Sequence, residues 1–359
     1  MCLLKVEVSE NKKEYQIHIN NKEISLLKDI VCETLKDNNY IVVISKKVYS
    51  LYGKILNFPK ERTFILKDGE KEKNFKNYEK IMDFALRCKL KRNDAIIAIG
   101  GGVVGDISGF VASTYMRGIK YIQIPTTLLA CTDSSVGGKT AINTKYGKNL
   151  IGAFYQPDEV FINVNFLKTL DKRQYNSGLG EVLKYAFIEK SCQCEEPINL
   201  MNFLSENYTK VLNKDTLTLL ELIKMCVKLK ISVVDKDEKE NGLRRILNYG
   251  HTYAHALETF TNYRKYTHGE CVAYGILFAI NLAYTLGKID KEYKFLCEDI
   301  LSKYGYTEMP KYDKNKIISI MDEDKKSTHK GIHYILADSY ASVQEEMLTT
   351  EQIKVLTGI

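Results

Sequence analysis

Two patterns of hydrophobic spacing divide the chain near residue 170. Before it, short runs of β-branched residues alternate with segments whose apolar residues recur every three to four positions, which predicts strands alternating with helices. Strands joined through helices by short links form a parallel sheet covered by helices. The predicted elements are a hairpin at 5–20, strands at 40–44, 95–99 and 121–124, and helices at 25–37, 77–91 and 106–115.

Beyond residue 170 the strand pattern largely disappears and helical spacing dominates. We therefore predict two domains, a parallel-sheet α/β domain over residues 1–170 and an all-α domain over residues 171–359. The predicted helices of the second domain lie at 180–190, 216–234, 250–260, 270–286 and 291–304.

Composition narrows the class of protein. No apolar run approaches the ~20 residues of a membrane span, and the first ten residues lack the apolar core of a secretory signal, so we expect a globular cytoplasmic protein. The nine cysteines show no repeated C-x-x-C, which argues against a disulfide framework or a zinc ribbon. The net charge of +7 is spread along the chain without a basic, aromatic-interleaved segment, which favours small anions over nucleic acid as ligands.

Three of the six histidines, His251, His255 and His268, lie within 18 residues. The H-x-x-x-H spacing places His251 and His255 on one face of a helix. A third histidine and a carboxylate from elsewhere would complete a catalytic zinc site with one open position. The alternative is a pair of hydrogen-bonded core histidines and one exposed histidine.

Glycine-rich segments in the first half suggest phosphate binding. Gly100, Gly102 and Gly105 match G-x-G-x-x-G between a predicted strand and helix, a context that can hold a pyrophosphate. The acid expected ~20 residues later is missing, so a purely structural glycine turn remains open. The segment D-S-S-V-G-G-K-T imitates a phosphate loop, but Asp133 stands where glycine is needed, which argues against a kinase or ATPase. We expect residues 126–148 to form a loop facing a polar ligand.

Charged residues of the second half extend this picture. Glu181 and Lys184 share one face of a predicted helix, either as a solvated pair or with Glu181 as the oxygen ligand of a metal site. Each charged residue before His251, taken alone, could be an ordinary surface charge. Together they offer cationic and amide groups suited to phosphate and carboxylate: Lys230, Glu240, Arg244 and Asn248, with Lys325 and Lys326 further on.

Taken in order, several motifs resemble the 3-dehydroquinate synthase family over residues 68–335. They are G-G-G-V-V-G-D, S-T-Y-M-R-G, P-T-T-L-L-A, D-S-S-V-G-G-K-T, G-K-N-L-I-G-A-F, G-E-V-L-K, L-R-R-I-L-N-Y-G-H-T-Y-A-H-A-L-E and H-G-E. The resemblance implies a Rossmann-like NAD-binding domain followed by a helical metal- and substrate-binding domain. It also implies a homodimer that converts 3-deoxy-D-arabino-heptulosonate 7-phosphate to 3-dehydroquinate with NAD and a divalent metal, commonly zinc, with cobalt as an alternative.

The resemblance assigns roles by position. Glu181, His251 and His268 match metal ligands, and Glu240 and His255 match acid/base or relay positions. Arg117 looks like a residue supplied across a homodimer interface. The substrate contacts match Arg117, Asp133, Lys139, Asn149, Lys184, Lys230, Arg244, Asn248 and one of Lys325 and Lys326, of which we select Lys326. The NAD contacts match Asp68, Glu70, Lys73, Gly101, Gly102, Val103, Asp106, Thr126, Thr127, Lys148, Phe166 and Thr169.

Some positions depart from the family pattern. Ser45 to Lys47 stand where an aspartate usually contacts the adenosine side of NAD. Gly180 and Ala254 replace a usual alanine and glycine, and we expect both exchanges to be harmless.

Three other functions stay open. A cyclase that forms inosose or valiolone products would share the NAD and metal frame, although Lys139, Asn149 and Arg244 fit the quinate-forming pattern. A metal-dependent polyol or alcohol dehydrogenase would consume NAD stoichiometrically. A regulatory module could sense a dinucleotide without chemistry.

Overall fold

A computed structural model describes residues 2–8, 13–36, 38–322, 327–328 and 331–358. The chain forms two compact units, Met1–Leu170 and Asp171–Ile359. Among the residues described, no helix combines the length and the apolar character needed to cross a membrane.

The first unit is built on a seven-stranded sheet with the order β1-β2-β9-β6-β5-β3-β4. Strands β1 and β2 form the antiparallel hairpin that the sequence predicts, and the remaining pairs are parallel. The strands of this unit are β1 (Cys2–Val8), β2 (Lys13–Asn20), β3 (Tyr40–Ser45), β4 (Thr63–Leu66), β5 (Ala95–Gly100), β6 (Lys120–Pro125), β7 (Lys139–Thr144), β8 (Gly147–Phe154) and β9 (Glu159–Asn163).

Continuous apolar runs explain the centre of this sheet. Strand β5 is buried along its whole length, and β3 is buried from Ile41 onward, as expected for strands covered on both faces by helices. The predicted α/β class with a parallel sheet is therefore confirmed. The helices of this unit are α1 (Leu27–Leu35), α2 (Lys46–Leu56), α3 (Phe75–Arg87) and α4 (Gly102–Thr114). Helix α2 and the strands β4 and β9 were not predicted from the sequence.

The loop predicted at 126–148 is wrong in its second half. Residues Ala130–Ser134 form a short helical turn, after which β7 and β8 pair as an antiparallel hairpin. Lys139 and Lys148 therefore sit on defined strands, whereas Asp133 lies in the helical turn, and β7 also packs against α4.

The second unit is mainly helical, which confirms the predicted class. It also contains a three-stranded antiparallel sheet of β10 (Ser327–Thr328), β11 (Gly331–Ser339) and β12 (Ser342–Leu348), which the sequence analysis did not predict. The helices are α5 (Lys172–Ile188), α6 (Leu200–Leu212), α7 (Thr216–Lys236), α8 (His251–Phe260), α9 (His268–Thr285), α10 (Lys291–Lys303), α11 (Lys314–Asp322) and α12 (Thr350–Leu356).

Candidate metal centre

Three helices of the second unit each supply one member of a candidate metal site. Glu181 lies within α5, His251 is the first residue of α8, and His268 is the first residue of α9. The start of α9 is fixed by a capping box, in which Thr267 accepts from the Glu270 amide and the Glu270 carboxylate accepts from the Thr267 amide. The ligand atoms of the three residues lie within 4.8 Å of one another.

Glycines beside the three residues let the helix backbones meet directly. A Cβ atom on Gly180, which precedes Glu181, would lie 1.9 Å from the carbonyl oxygen of Gly269, which follows His268. A Cβ on Gly275 of α9 would likewise lie 1.9 Å from the carbonyl oxygen of Gly250, which precedes His251. Real side chains essentially never approach so closely, so only glycine fits these contacts. Glycine at position 180 therefore fits this backbone, whereas a Cβ there would require α5 and α9 to move apart.

The distances within the group suit a tetrahedral ion. Oε1 of Glu181 lies 3.1 Å from Nε2 of His268 and 3.5 Å from Nε2 of His251. Metal–ligand bonds of ~2.0–2.1 Å at tetrahedral angles separate neighbouring ligand atoms by roughly 3.3 Å. Two imidazoles and one carboxylate also form a donor set that zinc accepts while keeping a fourth position open.

The hydrogen bond of His251 shows why a cation fits here. Nδ1 of His251 donates to the carbonyl oxygen of Tyr249 at 3.1 Å. Burial lowers the pKa of His251 to about 4, against the opposing effect of Glu181, so the ring is neutral near pH 7. With the proton on Nδ1, the lone pair of Nε2 faces a carboxylate oxygen. Two hydrogen-bond acceptors repel each other when they face each other in the protein interior. This arrangement is favourable only if a cation or a proton lies between them.

Glu181 remains ionised despite its burial. Burial alone would raise its pKa, but the Lys184 ammonium beside it opposes this effect and holds the pKa well below the usual range. Lys184 Nζ lies 2.6 Å from Oε2 of Glu181, and both residues are 1% exposed. The carboxylate therefore has one oxygen paired with an ammonium and the other directed at the two histidines.

Glu258 is a member of this group that the sequence analysis missed. Its Oε2 lies 3.4 Å from Nδ1 of His268, and the residue is buried in α8. Burial lowers the pKa of His268, but the contacts with Glu181 and Glu258 raise it to about 10. His251, His255 and Glu258 are spaced i, i+4 and i+7, the spacing of one helix face, which is the signal that could have revealed Glu258.

His255 lies next to the candidate ligands without belonging to their group. Its ring centroid is 5.6 Å from that of His251 and 6.3 Å from that of His268. This position is compatible with a proton relay beside the ion rather than with coordination.

The predicted cationic residues of the second unit are buried on elements that pack together. Lys184 on α5, Lys230 on α7 and Arg244 in the turn Leu243–Asn248 are all at most 5% exposed, and this turn packs against both helices. The Asp237 carboxylate accepts from the amides of Asn241, Gly242 and Arg244 and so fixes the loop that leads into the turn.

The acid/base candidate Glu240 sits in that loop with a defined partner. Asn248 Nδ2 donates to its Oε1 at 2.6 Å. Glu240 has a positive φ of 64°, a backbone conformation that non-glycine residues seldom adopt. The loop conformation therefore holds this carboxylate in a specific place.

In the first unit, several predicted NAD residues meet near the start of α4. Gly101 caps this helix, and a Cβ on it would lie 2.9 Å from the Thr127 side chain. Lys73 is 3% exposed, and its Nζ lies 2.5 Å from Asp106 and 3.8 Å from Glu70. A glycine-rich helix N-terminus with a buried cation nearby suits a diphosphate.

Other predicted NAD residues lie around the same sheet. Asp68 accepts from the Lys47 amide at 3.1 Å, beside Ser45, whose hydroxyl caps α2. Phe166 is buried in the core, so any cofactor contact there would use its main chain. The remaining predicted positions are Val103 in the first turn of α4, Thr126 directly after β6, Lys148 on β8, and Thr169. The Thr169 hydroxyl forms a hydrogen bond with the Tyr52 hydroxyl.

The remaining substrate candidates lie on or near the β7–β8 hairpin and the turn after α4. Lys139 begins β7. Asn149 lies on β8, and its main-chain amide donates to the side-chain oxygen of Asn143. Arg117 is exposed in a turn with a φ of 66°, and Asp133 lies in the short helical turn before β7. Lys325 and Lys326 lie outside the described residues.

Comparisons with known proteins cover nearly the whole chain. Family models for the N-terminal and C-terminal parts of 3-dehydroquinate synthase match residues 63–177 and 178–327. A 3-dehydroquinate synthase from Dictyoglomus thermophilum is 42% identical over 346 residues, covering 95% of this chain and 93% of the relative.

Solved structures support the fold. A 2-deoxy-scyllo-inosose synthase complexed with carbaglucose-6-phosphate, NAD+ and Co2+ superposes with a TM-score of 0.85 at 23% identity, covering 99% of both chains. A 2-epi-5-epi-valiolone synthase from Streptomyces hygroscopicus with NAD+ and Zn2+ gives 0.83 at 22% identity, covering 96% of this chain and 95% of that one. From the two family matches and the near-complete relative, this chain belongs to the 3-dehydroquinate synthase family.

Proposed function

We propose that this chain is an NAD- and divalent-metal-dependent lyase that converts 3-deoxy-D-arabino-heptulosonate 7-phosphate into 3-dehydroquinate and inorganic phosphate, a step toward chorismate and the aromatic amino acids. The observation that carries the proposal is the converging group of Glu181, His251 and His268 in a chain 42% identical to a 3-dehydroquinate synthase over nearly its full length. The reaction is balanced because the product is the substrate minus phosphoric acid.

Glu181, His251 and His268 would hold the cation, with zinc the first candidate and cobalt the second. A cation there supplies Lewis acidity, which makes a hydroxyl more acidic and a ketone more electrophilic. The residues themselves prepare this site, since Lys184 keeps Glu181 ionised and the Tyr249 carbonyl directs the lone pair of His251 inward.

The first unit would bind NAD through the start of α4 and its neighbours. NAD supplies a hydride acceptor that returns to its starting state in each turnover, so NADH does not accumulate. The main-chain amides at the glycine-rich start of α4 would hold a diphosphate, and Asp106 on the same helix pairs with Lys73.

Buried cations of the second unit would bind the charged ends of the substrate. Lys184, Lys230 and Arg244 have fixed positions in packed elements, so they can orient phosphate or carboxylate without a large loss of side-chain freedom. Lys139 and Asn149 of the β7–β8 hairpin are further proposed substrate contacts. His255 and Glu240 would move protons, with Asn248 holding the Glu240 carboxylate in place.

We also propose a homodimer in the cytoplasm. The β7–β8 hairpin exposes Leu150, Ile151 and Phe154 on a strand that pairs only with β7 among the described residues, and Arg117 is exposed as well. Exposed apolar residues on an open strand edge commonly mark a protein–protein contact. All nine cysteines are free thiols, a state that a reducing compartment maintains. Light scattering should give the mass of a dimer for the native chain and of a monomer for Leu150→Lys/Phe154→Lys.

One assay separates the candidate functions. The chain is mixed with the heptulosonate phosphate, zinc and substoichiometric NAD, while phosphate, 3-dehydroquinate and NADH are followed together. We expect equal amounts of phosphate and 3-dehydroquinate, far exceeding the NAD added, with no net NADH. Formation of stoichiometric NADH without release of phosphate would indicate a dehydrogenase. Turnover only of sugar phosphates that lack a carboxylate would indicate another cyclase. The absence of any turnover would favour a regulatory module that senses a dinucleotide.

A further inference from the structure

The two candidate histidine ligands are held by different kinds of partner. Nδ1 of His251 donates to a main-chain carbonyl, that of Tyr249, at 3.1 Å. Nδ1 of His268 instead faces a carboxylate, that of Glu258, at 3.4 Å. The difference is chemical, because a carboxylate carries a full charge and a carbonyl only a partial one.

His268 also needs more support than His251. Its side chain is 35% exposed, against 11% for His251, so less packing restrains its ring. It stands at the first position of α9, directly after a loop. A hydrogen bond from Nδ1 to a group on another helix can therefore contribute to setting the plane of its ring.

Glu258 is well placed to supply that restraint. It is 6% exposed and lies on α8 seven residues after His251, so the helix that carries one ligand also carries the partner of the other. The ring of His268 lies between two carboxylates, with Nε2 3.1 Å from Glu181 and Nδ1 3.4 Å from Glu258.

We infer that Glu258 is a positioning residue of the metal centre, which fixes the tautomer and plane of His268 and strengthens Nε2 as a donor to a divalent cation. This inference rests on the proposed metal site. A carboxylate behind a ligating imidazole does this by accepting the Nδ1 proton, which leaves the Nε2 lone pair for the ion and makes the ring more basic. Glu258 itself touches neither the ion nor the substrate in this arrangement.

The test is Co2+ binding by the full-length chain, read from visible absorption and from competition with a chelator. We expect Glu258→Gln to lower the Co2+ affinity about 10- to 100-fold and to alter the absorption bands, and Glu258→Asp to recover much of the loss. Circular dichroism confirms that each variant is folded. If the glutamine variant does not fold, Glu258→Asp alone should still bind Co2+ more weakly than the native chain, because its shorter side chain draws the carboxylate away from Nδ1 of His268, and native affinity in this variant would then overturn the inference.

Glu189→Gln is the matched control. Glu189 is also a buried carboxylate of this unit, but it binds the amides of Leu200 and Met201 and contacts no candidate ligand, so the variant should bind Co2+ as the native chain does. Native affinity and an unchanged spectrum in folded Glu258→Gln would overturn the inference while leaving the proposed function intact. A native chain that takes up no Co2+ would overturn both.

Discussion

The contact between α5 and α9 at Gly180 offers a sharp test of how this backbone positions its ligands. In Gly180→Ala, the new Cβ would lie 1.9 Å from the Gly269 carbonyl oxygen and 2.4 Å from the carbonyl carbon. Ordinary contacts begin near 3.4 Å, so the two helices would have to separate by about 1.5 Å.

Two opposing effects set the stability change. A backbone carbonyl cannot rotate away, so the upper part of the usual overpacking range applies, about 3 kcal/mol. Alanine within a helix recovers about 1 kcal/mol relative to glycine. We therefore expect a net loss of about 2 kcal/mol in the free energy of unfolding.

Metal binding should weaken as well, for a separate geometric reason. Glu181 follows Gly180 and His268 precedes Gly269, so separating the helices lengthens the 3.1 Å distance between their ligand atoms. Metal sites tolerate deviations of only about 0.2 Å in bond length. We expect the Co2+ affinity to fall at least about tenfold, which corresponds to roughly 1.4 kcal/mol.

The assay combines urea unfolding of the metal-free chain with Co2+ titration of the folded chain. Gly53→Ala is the control, because its Cβ would meet only the Tyr49 ring of the same helix, at 2.9 Å, and a side chain can move. The control should keep native Co2+ affinity. If Gly180→Ala unfolds at the native urea concentration and binds Co2+ with native affinity, then glycine contacts do not set the ligand spacing.

Three further predictions concern other parts of the chain. Burial raises the pKa of Glu189 to about 7 from 4.5, so between these pH values the folded chain binds more protons than the unfolded chain and its stability falls as pH rises. Urea unfolding at pH 5 and pH 8 should show a smaller fall in stability for Glu189→Gln than for the native chain. An equal fall in both would refute the raised pKa of Glu189. Asp106→Asn removes the nearer carboxylate partner of the buried Lys73 ammonium and leaves the more distant Glu70, so it should lower the free energy of unfolding by about 3 kcal/mol and weaken NAD binding. Native values in both measurements would exclude Asp106 from this role. Lys139→Ala should weaken binding of the heptulosonate phosphate far more than binding of NAD in calorimetric titrations, and equal losses would contradict its assignment to the substrate.

The central part of the fold could be predicted because its strands are unmistakable. The β-branched runs at β3 and β5 are too continuous for amphipathic helices and too short for buried ones. The C-terminal sheet was missed because β12 places Gln344, Glu345 and Glu346 in succession, which breaks the alternation typical of a strand. Only its pairing with β11 defines it.

The candidate site was predictable in part. The spacing of His251 and His255 indicates one helix face, but nothing local links Glu181 to residues 70 and 87 positions away; that link came from the family resemblance. The direct contact between Gly180 and Gly269 is a tertiary property, and sequence alone shows only two small residues. Glu258 could have been found from its spacing, but an acidic residue on a helix is usually solvated.

The most direct test of the metal centre is zinc content after equilibrium dialysis, measured for the native chain and for Glu181→Ala. We expect one tightly bound zinc per native chain and almost none in the folded variant, since the buried carboxylate is the only anionic ligand among the three converging residues. A full equivalent of zinc in folded Glu181→Ala would exclude Glu181 as a ligand.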